Sequence, residues 1–176
     1  LEKTVARTFD SLDRSMIGLA AGVAQPDVMA LPPHLRELVL FDYSLRLPEV
    51  AAVSVSDAQG NVVLHSSGML SQPINITDTD YFQAHRSGAH EGLYVGKPQT
   101  THKLDVFVLP LSRAYFDSTG AFAGVVVVAL RLSYFSDLLK SLDLGPKSGS
   151  NLFRNDGMVL ARFPYNGADV GRNLAG

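Results

Sequence analysis

The chain has 176 residues, of which 46% are hydrophobic and 18% are charged, a balance typical of a globular domain and not of a disordered segment. Its 15 Lys and Arg residues and 17 Asp and Glu residues give a formal net charge of −2, which disfavours a dedicated nucleic-acid-binding role. Cysteine is absent, and this excludes thiolate zinc sites, iron–sulfur clusters and cysteine nucleophiles.

The first quarter of the chain has the apolar spacing of a long helix. Apolar residues recur every three or four positions and form one stripe: Val5, Phe9, Leu12, Met16, Leu19 and Val23. The stripe suits a helix packed on its own domain, and it also suits a helix that forms a dimer seam. A second helix is predicted from Pro32-Pro33 to about Asp42, with Pro48 as its stop.

The chain then changes to strand patterns joined by short turns. Val50–Ser56 and Asn61–His65 flank a turn that ends in glycine, which predicts a hairpin. The later predicted elements are a short helix over 80–86, strands over 93–96, 105–112 and 121–132, and a closing helix over 134–142. Thr77 or Asp78 is expected to cap the short helix. Strands joined by tight turns imply an antiparallel sheet with helices on one side, an α+β fold.

The pattern of the first hairpin returns near the end of the chain. Residues 151–163 read as strand, Asp-Gly turn and strand, and they echo residues 53–65. We interpret the repeat as the opening hairpin of a second, similar module that is cut off at Gly176. The alternative is a last hairpin that completes the first sheet.

Several segments carry a family resemblance when they are taken in order. They are residues 78–86, 92–98, 108–113, 120–128, 142–145 and 154–164. In this order they resemble the double Cache (PDC) sensor domains of bacterial diguanylate cyclases, histidine kinases and chemoreceptors. The resemblance implies a long N-terminal helix packed on a PAS-like antiparallel sheet, followed by the start of a second such module. The implied parts are stalk helices over 1–48, a membrane-distal module over 49–147 and the opening hairpin of a membrane-proximal module over 148–176.

The resemblance also points to particular ligand contacts. Relatives that bind amino acids clamp the ligand carboxylate with an Arg-x-aromatic-aromatic motif and hold its amine with an Asp on a late strand. The matching positions here are Thr79, Tyr81 and Phe82 for the motif and Ala129 for the Asp. The aromatic residues match, whereas the Arg and the Asp do not. These departures weaken the case for that form of amino-acid recognition and leave room for another small ligand.

The candidate ligand-binding residues lie on the short helix and the strands that follow it. They are Tyr81, Phe82, His85, Arg86, Tyr94, Lys97, Lys103 and Arg113. Their cations indicate an anionic or zwitterionic ligand, an organic acid or an amino-acid-like molecule, since a partly buried anion needs pairing. Each candidate also has a structural alternative, as a core aromatic residue, a partly buried histidine or a solvated cation.

No cofactor and no metal is expected, because the spacing of Asp78, Asp80, His85 and His90 matches no known ligand motif. We find no nucleophile elbow and no phosphate-binding loop, so an enzyme is not expected.

The expected function is small-molecule sensing by the periplasmic part of an inner-membrane receptor. The receptor would dimerise through the N-terminal helix and signal to a cytoplasmic diguanylate cyclase or histidine kinase. The alternative function is a structural or protein-interaction module whose pocket is filled by side chains.

Overall fold

Apolar residues on both faces of the central strands build this fold around a six-stranded antiparallel sheet. The computed structural model describes residues 2–41, 43–68, 70, 72–101, 106–141, 149–164 and 169–174. Helices α1 to α5 span Glu2–Val23, Pro26–Met29, Pro33–Leu40, Asp80–Arg86 and Leu132–Lys140, and a 3-10 helix spans Tyr43–Arg46. Strands β1 to β8 span Val50–Ser56, Val62–His65, Tyr94–Val95, Gln99–Thr100, Phe107–Phe116, Phe122–Arg131, Ser150–Phe153 and Val159–Phe163.

The sheet has the order β2-β1-β6-β5-β3, with β4 also paired to β5. Its hairpins form as predicted because their turns carry an aspartate followed three residues later by glycine. The Asp57 carboxylate accepts hydrogen bonds from the backbone of Gln59 and Asn61, and Gly60 adopts a φ of 82°. Strand β5 continues to Phe116, beyond its predicted end at Ser112. The short elements α2 and β4 were not predicted from the sequence.

Helix α1 covers one face of the sheet with the apolar stripe seen in the sequence. Its buried residues pack with Val53 and Val55 of β1 and with Leu109 and Leu111 of β5 in one core cluster. Gly22 lets α3 approach, since a Cβ there would lie 2.6 Å from Leu40. The stripe therefore serves packing within the domain.

The opposite face of the sheet is covered by α4, which differs from the expectation of helices on one side. Strand side chains alternate, so the valine run of β6 places apolar side chains on both faces of the sheet. The second face therefore also needs a cover, and α4 supplies it. Val126 and Val128 belong to the α1 core, whereas Val125 and Val127 pack with Tyr81 and Phe82 in a second cluster.

Strands β7 and β8 pair with each other in a two-stranded sheet of their own. Leu160 and Ala161 of β8 join Phe135 and Leu139 of α5 in the α1-side core. Arg154 ties this hairpin to the main sheet, because its guanidinium donates to the Val95 carbonyl at 2.7 Å. Across the described ranges, no helix is both long and apolar enough to cross a membrane.

Candidate functional site

A cavity of about 210 Å³ lies on the α4 side of the sheet. Its floor comes from β1 (Ala51, Ala52, Ser54), β5 (Val108, Pro110) and β6 (Val127, Ala129). Its walls come from the segment before α4, from Tyr81 of α4 and from the residues around β4. The volume is smaller than the roughly 300–1,000 Å³ of pockets that take drug-sized ligands, so it suits a small molecule.

The cavity exists because small side chains meet across three neighbouring strands. Ala52 pairs with Ala129, and Ala129 pairs with Pro110 on its other side. The three residues form one row across β1, β6 and β5, and their side chains point to the α4 face. A row of larger side chains would fill this space, since protein interiors otherwise pack without voids of this size.

One polar wall of the cavity is formed by Thr79, Tyr81 and Gln99. The other polar lining residues are Ser54, His65, Ser67, Asn75, Thr100 and Thr101. The Tyr81 side chain is 4% exposed, and burial raises the pKa of its hydroxyl although the Thr79 and Gln99 side chains hydrogen-bond to it. Gly96 keeps Tyr81 close to the sheet, because a Cβ there would lie 3.2 Å from the ring and 2.8 Å from Pro110. The wall thus carries hydroxyl and amide groups without formal charge.

Thr79 also caps α4, where Thr77 or Asp78 was expected. The Thr79 hydroxyl accepts from the backbone N–H of Phe82 at 3.3 Å and donates to the Ile76 carbonyl at 2.7 Å. The Thr77 hydroxyl instead hydrogen-bonds to Gln59 and Asn75, which holds the segment before α4 against the β1–β2 turn. The cap therefore places a cavity residue at the start of the helix.

A second polar cluster lies one turn along α4 from Tyr81, and its central residues, His85 and Ser112, are buried. His85 is 5% exposed, and its Nε2 lies 3.0 Å from the Ser112 hydroxyl. The rings of His90 and Tyr94 pack edge-on around it. Burial lowers the pKa of His85, so the ring is neutral at pH 7. This cluster supports α4 on β5.

Three of the four predicted cationic residues lie outside the cavity lining. Arg86 and Lys97 are exposed. Arg113 lies on the α1 face of the sheet, where its guanidinium donates to both carboxylate oxygens of Asp13 at 2.8 and 3.0 Å. Lys103 lies outside the described residues. The structure therefore does not bring Arg86, Lys97 and Arg113 together in the cavity.

The predicted aromatic residues divide between the cavity and the core. Tyr81 lines the cavity, whereas Phe82 is fully buried in the second cluster against Phe122. Tyr94 lies beside them and donates to the Asp80 carboxylate at 3.3 Å.

Sequence reasoning did not identify Ser54, Gln99, or the floor residues Ala52 and Pro110 as cavity residues. Strand alternation identifies which residues share a face, but only the pairing of β1, β6 and β5 shows that the small ones are neighbours. Within the described part of the chain, no group of three or more His, Asp or Glu residues is placed to hold a metal ion.

Comparisons with protein-family models and with curated proteins found no match. Solved structures do match. The extracellular domain of rpHK1S-Z16, described as a histidine kinase, is 26% identical, with a TM-score of 0.81 over 98% of this chain and 69% of that chain. An extracellular ligand binding receptor from Desulfohalobium retbaense is 16% identical, with a TM-score of 0.74 over 98% of this chain and 31% of that chain.

A third match is the ligand binding domain of the amino acid chemoreceptor PctC of Pseudomonas aeruginosa, in complex with GABA. It is 18% identical, with a TM-score of 0.63 over 99% of this chain and 78% of that chain. The chain thus spans less than a third of the Desulfohalobium receptor and larger shares of the other two. These neighbours confirm the predicted α+β fold and the predicted likeness to extracellular sensor domains.

Proposed function

We propose that this chain, which has the fold of the Cache-type extracellular sensor domains of histidine kinases and chemoreceptors, binds its signal molecule in the α4-side cavity. The observation that carries the proposal is the position of Thr79, Tyr81 and Ala129. The resemblance places ligand contacts at these three positions, and all three line the same cavity. Tyr81 is the ligand-contacting aromatic residue in this proposal, with Thr79 and Gln99 beside it.

Signalling requires that the ligand bind one conformation better than another. Residues 72–97 include one wall of the cavity, and closure of this segment over a ligand would move α4 against the sheet. Strand β5 connects the two faces, because Ser112 contacts α4 and the next residue, Arg113, holds Asp13 of α1. A shift of β5 would therefore reach the N-terminal helix.

The finer receptor architecture belongs to the same proposal. The chain would be the periplasmic part of an inner-membrane protein, with stalk helices over 1–48, a membrane-distal module over 49–147 and the start of a proximal module over 148–176. The output would be a cytoplasmic diguanylate cyclase or histidine kinase. A homodimer through α1 would use the outer side of the helix, where Ile17 is 45% exposed.

The charge class of the ligand is the variable that a binding screen must resolve. An anionic or zwitterionic ligand was expected from the sequence, and the PctC domain is described in complex with GABA. That expectation was based on Arg86, Lys97, Lys103 and Arg113. Arg86, Lys97 and Arg113 do not line the cavity, and Lys103 lies outside the described residues. The alternative interaction module requires a filled pocket, which a 210 Å³ cavity does not favour.

A thermal-shift screen against amino acids, organic acids, amines, amides and purines tests the proposal. A ligand at about 100 times its Kd adds about 2.7 kcal/mol of stability, which corresponds to roughly 5–10 °C for a domain of this size. Ala129→Leu, which fills the floor of the cavity, is expected to abolish the shift. Ala89→Leu, the same change at an exposed residue, is expected to retain it.

Two outcomes would contradict the proposal. One is a well-folded protein that no compound stabilises. The other is a ligand whose shift is the same in the wild-type protein and in Ala129→Leu, since such a ligand binds elsewhere.

A further inference from the structure

We infer that the cavity selects small molecules that carry no formal charge, with an apolar body and a hydrogen-bonding group that both donates and accepts. Carboxamides, lactams and alcohols have this chemistry. The inference rests on the proposed function, since it assigns a ligand class to the same cavity. It is drawn from the lining of the cavity and from the pairing of the charged groups around it.

The first observation is the composition of the lining. Within the described ranges, the lining includes no Asp, Glu, Lys or Arg side chain, and its titratable side chains are those of His65 and Tyr81. A buried carboxylate or ammonium group needs an opposite charge or several aimed hydrogen bonds, because its desolvation is otherwise uncompensated. A zwitterion needs both kinds of partner at once.

The second observation is that two described charged side chains, Asp80 next to Tyr81 in the sequence and Arg154 on the β7–β8 hairpin, are engaged elsewhere. The Asp80 carboxylate accepts from the Tyr94 hydroxyl and from the backbone N–H of Lys97. The Arg154 guanidinium is held by Asp156 and by the Val95 carbonyl. Recruiting either group to a ligand would break contacts that the fold already uses.

The third observation is the character of the polar wall. The Thr79 hydroxyl donates to the Ile76 carbonyl and accepts from the backbone N–H of Phe82, so it can offer a ligand at most one acceptor lone pair. The hydroxyl of Tyr81 both donates and accepts, as does the amide of Gln99. A ligand group that both donates and accepts, such as an amide, satisfies this mixture, whereas a carboxylate can only accept.

The apolar part of the lining defines the rest of the ligand. Ile74, Ile76, Val108 and Val127 surround the row of small floor residues. They offer contact to a short hydrocarbon body, which would lie beside the polar wall.

Calorimetric titration and thermal shift with matched carbon skeletons test the inference. The probes are butyramide, butyrate and butylammonium; benzamide, benzoate and benzylammonium; and 2-pyrrolidinone with its open-chain form, GABA. At least one uncharged probe is expected to bind, and to bind at least about tenfold more tightly than its charged partners. Ala129→Leu is expected to remove that binding.

A charge introduced into the floor gives a second readout. Ala129→Asp is expected to reverse the order within a probe set, so that the ammonium compound becomes the tightest ligand. Ala129→Asn has a similar shape without the charge and is expected to keep the preference for the amide. If the Asp and Asn variants behave alike, bulk and not charge determines selection, and the inference fails.

The inference is overturned if a carboxylate, an ammonium compound or GABA binds as tightly as its uncharged counterpart, or if no uncharged probe binds. The proposed function fails separately. It survives when any compound, charged or not, stabilises the wild-type protein and does not stabilise Ala129→Leu.

Discussion

The two faces of the sheet differ in how completely they are packed. On the α1 face, long apolar side chains such as Leu12 and Met16 fill the space against β1, β5 and β6. On the α4 face, Ala52, Ala129 and Pro110 leave a cavity, and a buried His85–Ser112 hydrogen bond replaces part of the apolar contact. One sheet thus supports a filled core on one side and the proposed binding site on the other.

The largest expected effect comes from opening a cavity on the packed face. Leu12→Ala removes a side chain that is 1% exposed, and the free energy of unfolding should fall by about 2–5 kcal/mol. Urea denaturation measures the loss. Ile17→Ala on the same helix is the control, because Ile17 is 45% exposed, and its effect should stay below about 1 kcal/mol. Equal losses in the two variants would mean that the α1 stripe is not the core.

The ion pair that joins α1 to β5 should have a smaller effect on stability. Asp13→Asn breaks a bidentate contact whose side chains are about one quarter exposed, and the expected loss is about 1 kcal/mol after solvent screening. Asp10→Asn, at an exposed position of α1, is the matched control. The loss for Asp13→Asn should shrink in high salt. A salt-independent loss would point to packing in place of charge.

The α4 face should make stability depend on pH. The pKa of His85 is lowered by burial, so the unfolded chain binds a proton at a higher pH than the folded chain does. This contribution to stability is therefore fully present above the unfolded pKa of about 6.5 and is lost as the pH falls toward the folded pKa. Denaturant midpoints measured from about pH 7.5 to about pH 5.5, roughly one unit on each side of the unfolded pKa, test this loss of stability.

His85→Asn is expected to flatten that pH dependence, whereas His34→Asn, at an exposed histidine, should leave it unchanged. An unchanged slope in His85→Asn would show that His85 does not carry the effect.

The smallest change in stability is expected for a substitution in the cavity wall, which should instead weaken ligand binding. Tyr81→Phe keeps the buried ring and removes only the hydroxyl at the cavity wall, so stability should change by about 1 kcal/mol or less. The affinity for the compound that gives the largest thermal shift should fall about tenfold, the value of one hydrogen bond. Arg86→Ala, at an exposed residue of α4, should leave that affinity unchanged. If Arg86→Ala weakens binding more than Tyr81→Phe does, the ligand contacts the outer side of α4.

Much of this architecture could be predicted from the sequence. The apolar stripe of α1 and the Asp57 and Asp117 turns are local signals, and both form in the structure. Strand alternation also places Arg113 on the same face as Leu109 and Leu111, which shows in retrospect why it turns toward α1.

The cavity could not be found in the same way. Its floor joins residues far apart in the sequence, and the register that aligns Ala52, Ala129 and Pro110 is a property of the whole sheet. Gln99 likewise reaches Tyr81 only because β4 pairs with β5.

The most direct test of the α4-side site compares alanine methyl groups on the two faces. Ala52 and Ala129 line the cavity, whereas Ala20 and Ala123 pack against the α1-side core. In a methyl-labelled sample titrated with the compound that gives the largest thermal shift, the Ala52 and Ala129 resonances should move first and most. Saturable changes confined to Ala20 and Ala123, or no change at Ala52 and Ala129, would contradict the assignment of the ligand site to the α4 face.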